Sequence, residues 1–338
     1  TAIINDPLNA PHSLLAYGLH TIGIGWRAAI RLSSTFFGVL FIFCFYFFLK
    51  NWFGKAIGIM GTLLLAANPL FLVMARDGAP TIMLLSIIVI MATYVWATRS
   101  DDNSISLIIL MLTLSLSLYT PGIFLWALGA AIICRKKITA LFQEGSPPIV
   151  TAAILISLLA LVPLGLAIVK DINLIKQLLI IPHVLPPPIR ILKNIVWMAS
   201  ALFIKTPHHV PLIMGQLPLF NIVSDALLAF GIFAMWVVAR LKLLIFALSV
   251  TYAIVIAGVN DNIDLLALAI PAISVIIAAG LRYLFIEWRR VFPRNPLAKN
   301  LAFCLMWAVV IVQLLFGLRY AALAWPVTTD TRNTYVLK

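Results

Sequence analysis

Long apolar runs alternate with short polar gaps along most of this chain. Segments 32–49, 55–75, 79–98, 104–119, 121–134, 149–169, 217–239, 242–258, 263–281 and 300–318 are almost free of charge. Each reaches or approaches the ~20 apolar residues that a helix needs to cross a hydrocarbon core of ~30 Å. The runs are solid Leu, Ile, Ala and Phe, without the alternation of a β-barrel strand. A helix satisfies its backbone amides locally, which lipid demands. The pattern therefore predicts an all-α polytopic transmembrane helix bundle of about ten spans with external amphipathic helices.

Three regions lie outside the runs and divide the single transmembrane domain expected for 1–338. Residues 1–31 precede the first span, and 13–30 reads as a membrane-surface helix with Leu14, Leu15, Leu19, Ile22 and Trp26 on one stripe. Spans one to six fill 32–169 and the last four fill 217–318. Between them, 170–216 far exceeds the usual connection of ~4–6 residues, and loops of that size commonly carry function. It holds an amphipathic stretch at 172–182, then Pro186-Pro187-Pro188, then a helix over 189–204 with Arg190 and Lys193 on one face, then Lys205-Thr206-Pro207-His208-His209. The tail 319–338 turns polar after Trp325-Pro326. No internal repeat of the secondary-transporter kind is evident.

Charge adds sidedness. One set of gaps holds Lys50 and Lys55, Arg99, Arg135 to Lys137, Arg240 and Lys242, then Arg282, Arg289, Arg290, Arg294 and Lys299. The alternate gaps hold Arg76-Asp77, the uncharged Tyr119-Thr120-Pro121-Gly122, and Asp261 with Asp264. This is the positive-inside pattern, and it predicts a multi-pass protein of the cell membrane with both ends of this chain outside. Composition agrees: 63% of the residues are hydrophobic and 10% charged, against about 25% charged in soluble domains. The net charge of +13 is spread over inner loops, so it points to anionic lipid and topology, not to nucleic acid. Cys44, Cys134 and Cys304 lack metal-type spacing and read as free thiols. The chain shows no cleavable signal peptide and starts at Thr1, not Met, so an upstream piece is expected.

Several short elements recur in a familiar order between Pro11 and residue 134. They are Asn9-Ala10-Pro11-His12-Ser13-Leu14-Leu15, then Trp26-Arg27-Ala28-Ala29-Ile30-Arg31-Leu32-Ser33-Ser34 with Gly38, then Lys50-Asn51-Trp52-Phe53-Gly54-Lys55. Asn68-Pro69-Leu70-Phe71-Leu72 through Ala75-Arg76 follows, then Leu118-Tyr119-Thr120-Pro121-Gly122. Further on come Ile263-Asp264-Leu265 through Pro271-Ala272, and Tyr320 to Trp325-Pro326. This series resembles the glycosyltransferase C superfamily, in the branch of protein O-mannosyltransferases and lipid A aminoarabinose transferases. The family's external Asp-Glu pair has no counterpart here, and Ile263-Asp264 stands where relatives carry Arg-Tyr.

The resemblance implies inverting transfer of a sugar from a polyprenyl-phosphate carrier to a protein, glycan or lipid acceptor at the outer face. Such transfer needs a base for the acceptor hydroxyl and cations for the leaving phosphate. Asp6 is the candidate base, and its alternative is a turn residue before Pro7. Asp77 is the second catalytic candidate; a local pair with Arg76 is the alternative. Arg27 and Arg31 at i and i+4 can grip one anion, or simply snorkel at the interface. His12, Arg76, Tyr119, Arg190, Lys193, His208, His209, Asp261 and Asp264 complete the substrate-binding candidates. Asp225, two turns into a span, is a further intramembrane acid. No metal site is expected and no cofactor is required, with a divalent cation as an optional component. The expected partners are the lipid-linked sugar donor, membrane lipids, an unidentified acceptor and, optionally, other membrane-complex subunits. Two rival readings share the scaffold: a non-catalytic lipid-binding or assembly subunit, and a transporter or flippase for lipid-linked sugar.

Overall fold

The computed structural model describes residues 7–99, 103–182, 184–206, 216–293 and 295–327. Among them the protein is all-α, 85% helical and without a strand. The elements are α1 (Ala10–Thr21), α2 (Trp26–Phe53), α3 (Lys55–Ala66), α4 (Pro69–Asp77), a 3-10 turn (Pro80–Ser86) leading into α5 (Ile87–Ala97), α6 (Asn103–Ser117), α7 (Ile123–Glu144) and α8 (Pro147–Lys170). They continue as α9 (Asn173–Leu178), α10 (Pro188–Phe203), α11 (Ile222–Val238), α12 (Arg240–Asn260), a 3-10 turn (Ile263–Ala269) leading into α13 (Ile270–Val291), α14 (Pro296–Arg319), a π turn (Tyr320–Ala324) and α15 (Trp325–Val327).

Each apolar run of the sequence is helical for most of its length, and six helices are long and apolar enough to cross a membrane. The pair α3 and α4 is long and apolar enough only when taken together, and it is bent by 65° at its break. The apolar part of α6 and α11 are shorter. Several long apolar helices of this kind fit a multi-pass membrane protein. Lipid is the solvent that makes sense of α8, where Leu155, Leu159 and Val169 are all exposed.

Local signals set many boundaries. Proline occupies the first turn of α1, α8, α10, α13 and α14, where its missing N–H costs nothing. Side-chain caps come from Asn221 to the Ser224 N–H and from Asn295 to the N–H groups of Leu297 and Ala298.

Three expectations need correction. The surface helix expected over 13–30 stops at Thr21, because Gly23 adopts φ +99° and breaks it. Arg27 and Arg31 therefore sit in the first two turns of the long α2 helix. The run 55–75 is broken at Ala67–Asn68, where Pro69 cannot continue a helix and Asn68 caps the next one through the Phe71 N–H. Asp225 is not two turns deep but in the first turn of α11, because Leu217–Phe220 is not helical.

The chain forms two compact units, Thr1–Phe37 with Gly78–Pro186, and Gly38–Asp77 with Pro187–Lys338. In the first, α6 packs between α5 and α8. Tyr119 closes the turn after α6: its carbonyl accepts from Asn9 N–H at 2.9 Å and its hydroxyl donates to the Ala160 carbonyl at 2.6 Å. Ala10, Leu164, Ala167, Leu174 and Leu178 pack around that ring.

In the second unit the core helix is α13 with its 3-10 lead-in. Ninety-four percent of its most apolar window is buried, against 22% for α8, so α13 faces protein and α8 faces solvent or lipid. Small residues allow the close approach. A methyl at Gly231 would stand 1.9 Å from the Ile276 carbonyl oxygen, and one at Gly280 would stand 2.0 Å from the Leu227 carbonyl oxygen. Helices in lipid gain contact in this way, because apolar area alone does not drive them together.

Candidate functional site

In the first unit, α1 is locked to the start of α2 through His12. The ring is buried and stacks on Phe37 at 6.3 Å. His12 Nε2 lies 2.9 Å from Ser34 Oγ, and Ser34 Oγ donates to the Ala79 carbonyl at 3.3 Å. With its hydroxyl proton spent on Ala79, Ser34 accepts from Nε2–H, which fixes the neutral tautomer of His12. Burial lowers the His12 pKa from 6.5 to about 4, in keeping with an uncharged ring. Ser33 adds a bond to the His12 carbonyl at 2.9 Å. His12 therefore positions α1; its ring is committed to protein groups.

Arg27 and Arg31 follow one turn apart on α2. Arg27 is exposed and Arg31 half-buried. Gly78, at φ +84°, lies against Arg31: a Cβ there would come within 3.1 Å of Ile30 and 3.2 Å of the Arg31 stem. A left-handed glycine is thus what lets the chain pass so close to Arg31. The two guanidinium groups occupy the start of a 28-residue apolar helix, where a lipid headgroup would lie.

The second unit holds the remaining described candidates, and they fall into separate places. Arg76 donates to the Ala321 carbonyl at 2.8 Å, so it caps the π turn at the end of α14. Asp77 ends α4 and is buried. Arg190 on α10 meets Asp261 at 3.6 Å, with both side chains more than half exposed. Asp261 takes a left-handed conformation at the end of α12. Asp264 opens the next 3-10 turn, its N–H bonded to Asn262 Oδ1 at 2.9 Å. Lys193 is exposed on the outward face of α10, beside Ile189, Leu192, Val196 and Trp197. Asp6, His208 and His209 lie outside the described residues. Among the described residues no three His, Cys, Asp or Glu side chains converge as a metal site.

One site was not among the sequence candidates, although Asn68 and Tyr320 stand in two of the short elements. A cavity of about 210 Å³ opens where the span is broken at Asn68. Asn68, Asn221, Ser224, Ser274, Gln313 and Tyr320 supply its polar lining. Asn68 Nδ2 donates to the Leu219 carbonyl at 3.3 Å. Asn221 and Gln313 bond each other in both directions, the Gln313 amide donating at 3.0 Å. Asp225 stands one turn along from Asn221, with Oδ1 buried and unbonded among the described residues. Irregular backbone at membrane depth needs such partners. The legible signal was Gln313 itself, a polar amide inside an apolar run, where polar groups are costly. No protein-family model matches the chain, and no curated protein matches it.

Proposed function

We propose that the chain is a membrane glycosyltransferase that moves a sugar from a polyprenyl-phosphate carrier to a protein, glycan or lipid acceptor. The observation that carries this reading is the pair Arg27 and Arg31 in the first two turns of α2, beside the Gly78 turn. Two cations at i and i+4, at the mouth of an apolar helix, match a phosphate on a lipid chain. The charge pattern supports the reading that this mouth faces outward from the cell membrane, with both ends of this chain outside. Asp6 is the proposed base that accepts the acceptor hydroxyl proton. Arg27 and Arg31 stabilise the charge left on the carrier phosphate as the glycosidic bond breaks. The fold proposed for it is the glycosyltransferase C bundle of about ten spans.

The test is transfer of labelled sugar from a polyprenyl-phosphate donor in vesicles carrying the intact protein. Arg27→Gln with Arg31→Gln lowers kcat/KM about 100-fold, the scale of losing a charge-stabilising donor. Asp6→Asn abolishes transfer with expression unchanged. Full activity in both variants removes these residues from the mechanism.

A second reading is a non-catalytic, lipid-binding subunit on the same scaffold. The observation that favours it is that the sequence contains no Asp-Glu pair. Under that reading the intact protein binds the carrier phosphate through Arg27 and Arg31 and shows no turnover with any acceptor.

A further inference from the structure

Three irregular stretches of backbone meet at the 210 Å³ cavity of the second unit. They are the break at Ala67–Asn68, the non-helical residues 217–221 and the π turn that begins at Tyr320. Ser224, in the first turn of α11, and Ser274, on α13, also line it. Hydroxyls in apolar helices commonly donate back along the helix, as Thr62 does to the Gly58 carbonyl at 2.7 Å and Thr93 to the Val89 carbonyl at 2.8 Å. The Ser224 and Ser274 hydroxyls make no hydrogen bond among the described residues. Ser274 is only 4% exposed, yet its oxygen is not sealed in protein as the unbonded hydroxyls of Ser86 and Ser106 are. It is therefore open to the cavity. Asn68, Asn221 and Gln313 each commit one amide N–H to a protein oxygen, and an amide side chain has two, so each keeps one to offer.

We propose that this cavity binds the uncharged, hydroxyl-bearing headgroup of a neutral lipid of the monoacylglycerol type. Ser224, Ser274 and the remaining amide N–H groups hold the head, and the acyl chain leaves past Leu217, Ile222 and Phe316. Four features select that ligand. Among the described residues, none that lines the cavity is charged. An ion there would lose its hydration without a counter-charge, so the ligand is neutral. A wholly apolar ligand would strand two hydroxyls and the spare amide hydrogens, so the ligand carries hydroxyls. The 210 Å³ far exceeds the about 10–15 Å³ that one water needs and falls below the about 300–1,000 Å³ of drug-sized pockets, so a headgroup fits and a long chain must leave. Leu217, Ile222 and Phe316 line the cavity and are 44%, 83% and 42% exposed, so the exit is apolar. A soluble polyol gains nothing from such a rim, whereas an acyl chain does. The cavity lies in the second unit and Arg27 and Arg31 in the first, so the proposal stands independently of the transferase reading.

The experiment uses the intact protein in phosphatidylcholine nanodiscs and a monoacylglycerol with a photoactivatable diazirine in its acyl chain. Sugar-headed detergents are removed first, because their heads would compete. Mass spectrometry of the crosslinked protein gives the labelled peptide and the half-saturating mole fraction of the probe. Saturable labelling beside Leu217, Ile222 or Phe316 is expected. Ser224→Ala with Ser274→Ala removes two hydrogen bonds and raises the half-saturating mole fraction about tenfold, with an intermediate change in each single variant. The control Ser86→Ala with Ser106→Ala removes two buried hydroxyls from the first unit and leaves labelling unchanged. Size-exclusion profiles check that the variants remain folded. Competition on the parent protein needs no variant: unlabelled monoacylglycerol displaces the probe, and neither the methyl ester of the same fatty acid nor millimolar glycerol does. Unchanged binding in the serine double variant, equal loss in the control, or full competition by the methyl ester or by glycerol would each overturn the proposal.

Discussion

His12 Nε2 donates to Ser34 Oγ at 2.9 Å, across 22 residues, and that bond holds the first helix on the second. A neutral histidine makes it, and burial opposes the charged form. Folding thus lowers the pKa from 6.5 to about 4, so the unfolded chain binds more protons between those values. The contribution to stability is complete above pH 6.5 and is lost as pH falls toward 4. Thermal unfolding in detergent at pH 7 and pH 4.5 measures it. His12→Gln removes this part of the acid sensitivity, and Ser34→Ala lowers stability at pH 7 by about 1–3 kcal/mol because the ring N–H is left buried without an acceptor.

The Asn221–Gln313 amide pair makes a sharper test. Gln313→Leu leaves Asn221 half-buried without its partner and destabilises by about 1–3 kcal/mol. The double variant Asn221→Leu with Gln313→Leu also loses the cap on the Ser224 N–H, so its loss is smaller than the sum of the two single losses and is not a full recovery. A denaturant double-mutant cycle reads the coupling.

Two glycines in apolar helices should respond in opposite ways. Gly231→Ala places a methyl 1.9 Å from the Ile276 carbonyl oxygen, against backbone that cannot move aside. Folded yield of that variant, read by fluorescence size exclusion, falls steeply. Gly165→Ala meets no atom within 4 Å, so its yield matches or exceeds that of the parent.

Arg190 and Asp261 meet at 3.6 Å with both side chains more than half exposed. Screened surface pairs of this kind contribute about 0–1 kcal/mol. Asp261→Asn therefore shifts the melting temperature by little, and less still in high salt. A large shift would mean that Arg190 does more than close a surface pair.

The candidate site divides between what local sequence carries and what it does not. Arg27 and Arg31 were legible because i, i+4 spacing on a helix puts two cations on one face. Arg190 and Lys193 were legible as a helical pair, but their fates diverge: one meets Asp261 and the other faces outward beside Trp197. His12 looked like a ligand contact from its neighbours in sequence. Burial against Phe37 and the bond to Ser34 make it a tie between helices instead.

The sequence by itself determined that the chain is helical and apolar enough to cross a membrane several times. Apolar run length is a linear property, so a linear reading captures it; Gly23, Pro69 and the Asn caps also act within a turn or two of themselves, but the reading of 13–30 and 55–75 by run length passes through the breaks at Gly23 and Pro69. Only the tertiary structure decided that Arg76 would cap the Ala321 carbonyl 245 residues away, that Gln313 would find Asn221, and that Lys242 and Arg282 would stand over Trp52 and Phe53. A polar group in an apolar helix must find a partner, and the sequence states that need. Which partner it finds depends on which helix faces come together, and small residues such as Gly231 and Gly280 set that by letting backbones touch.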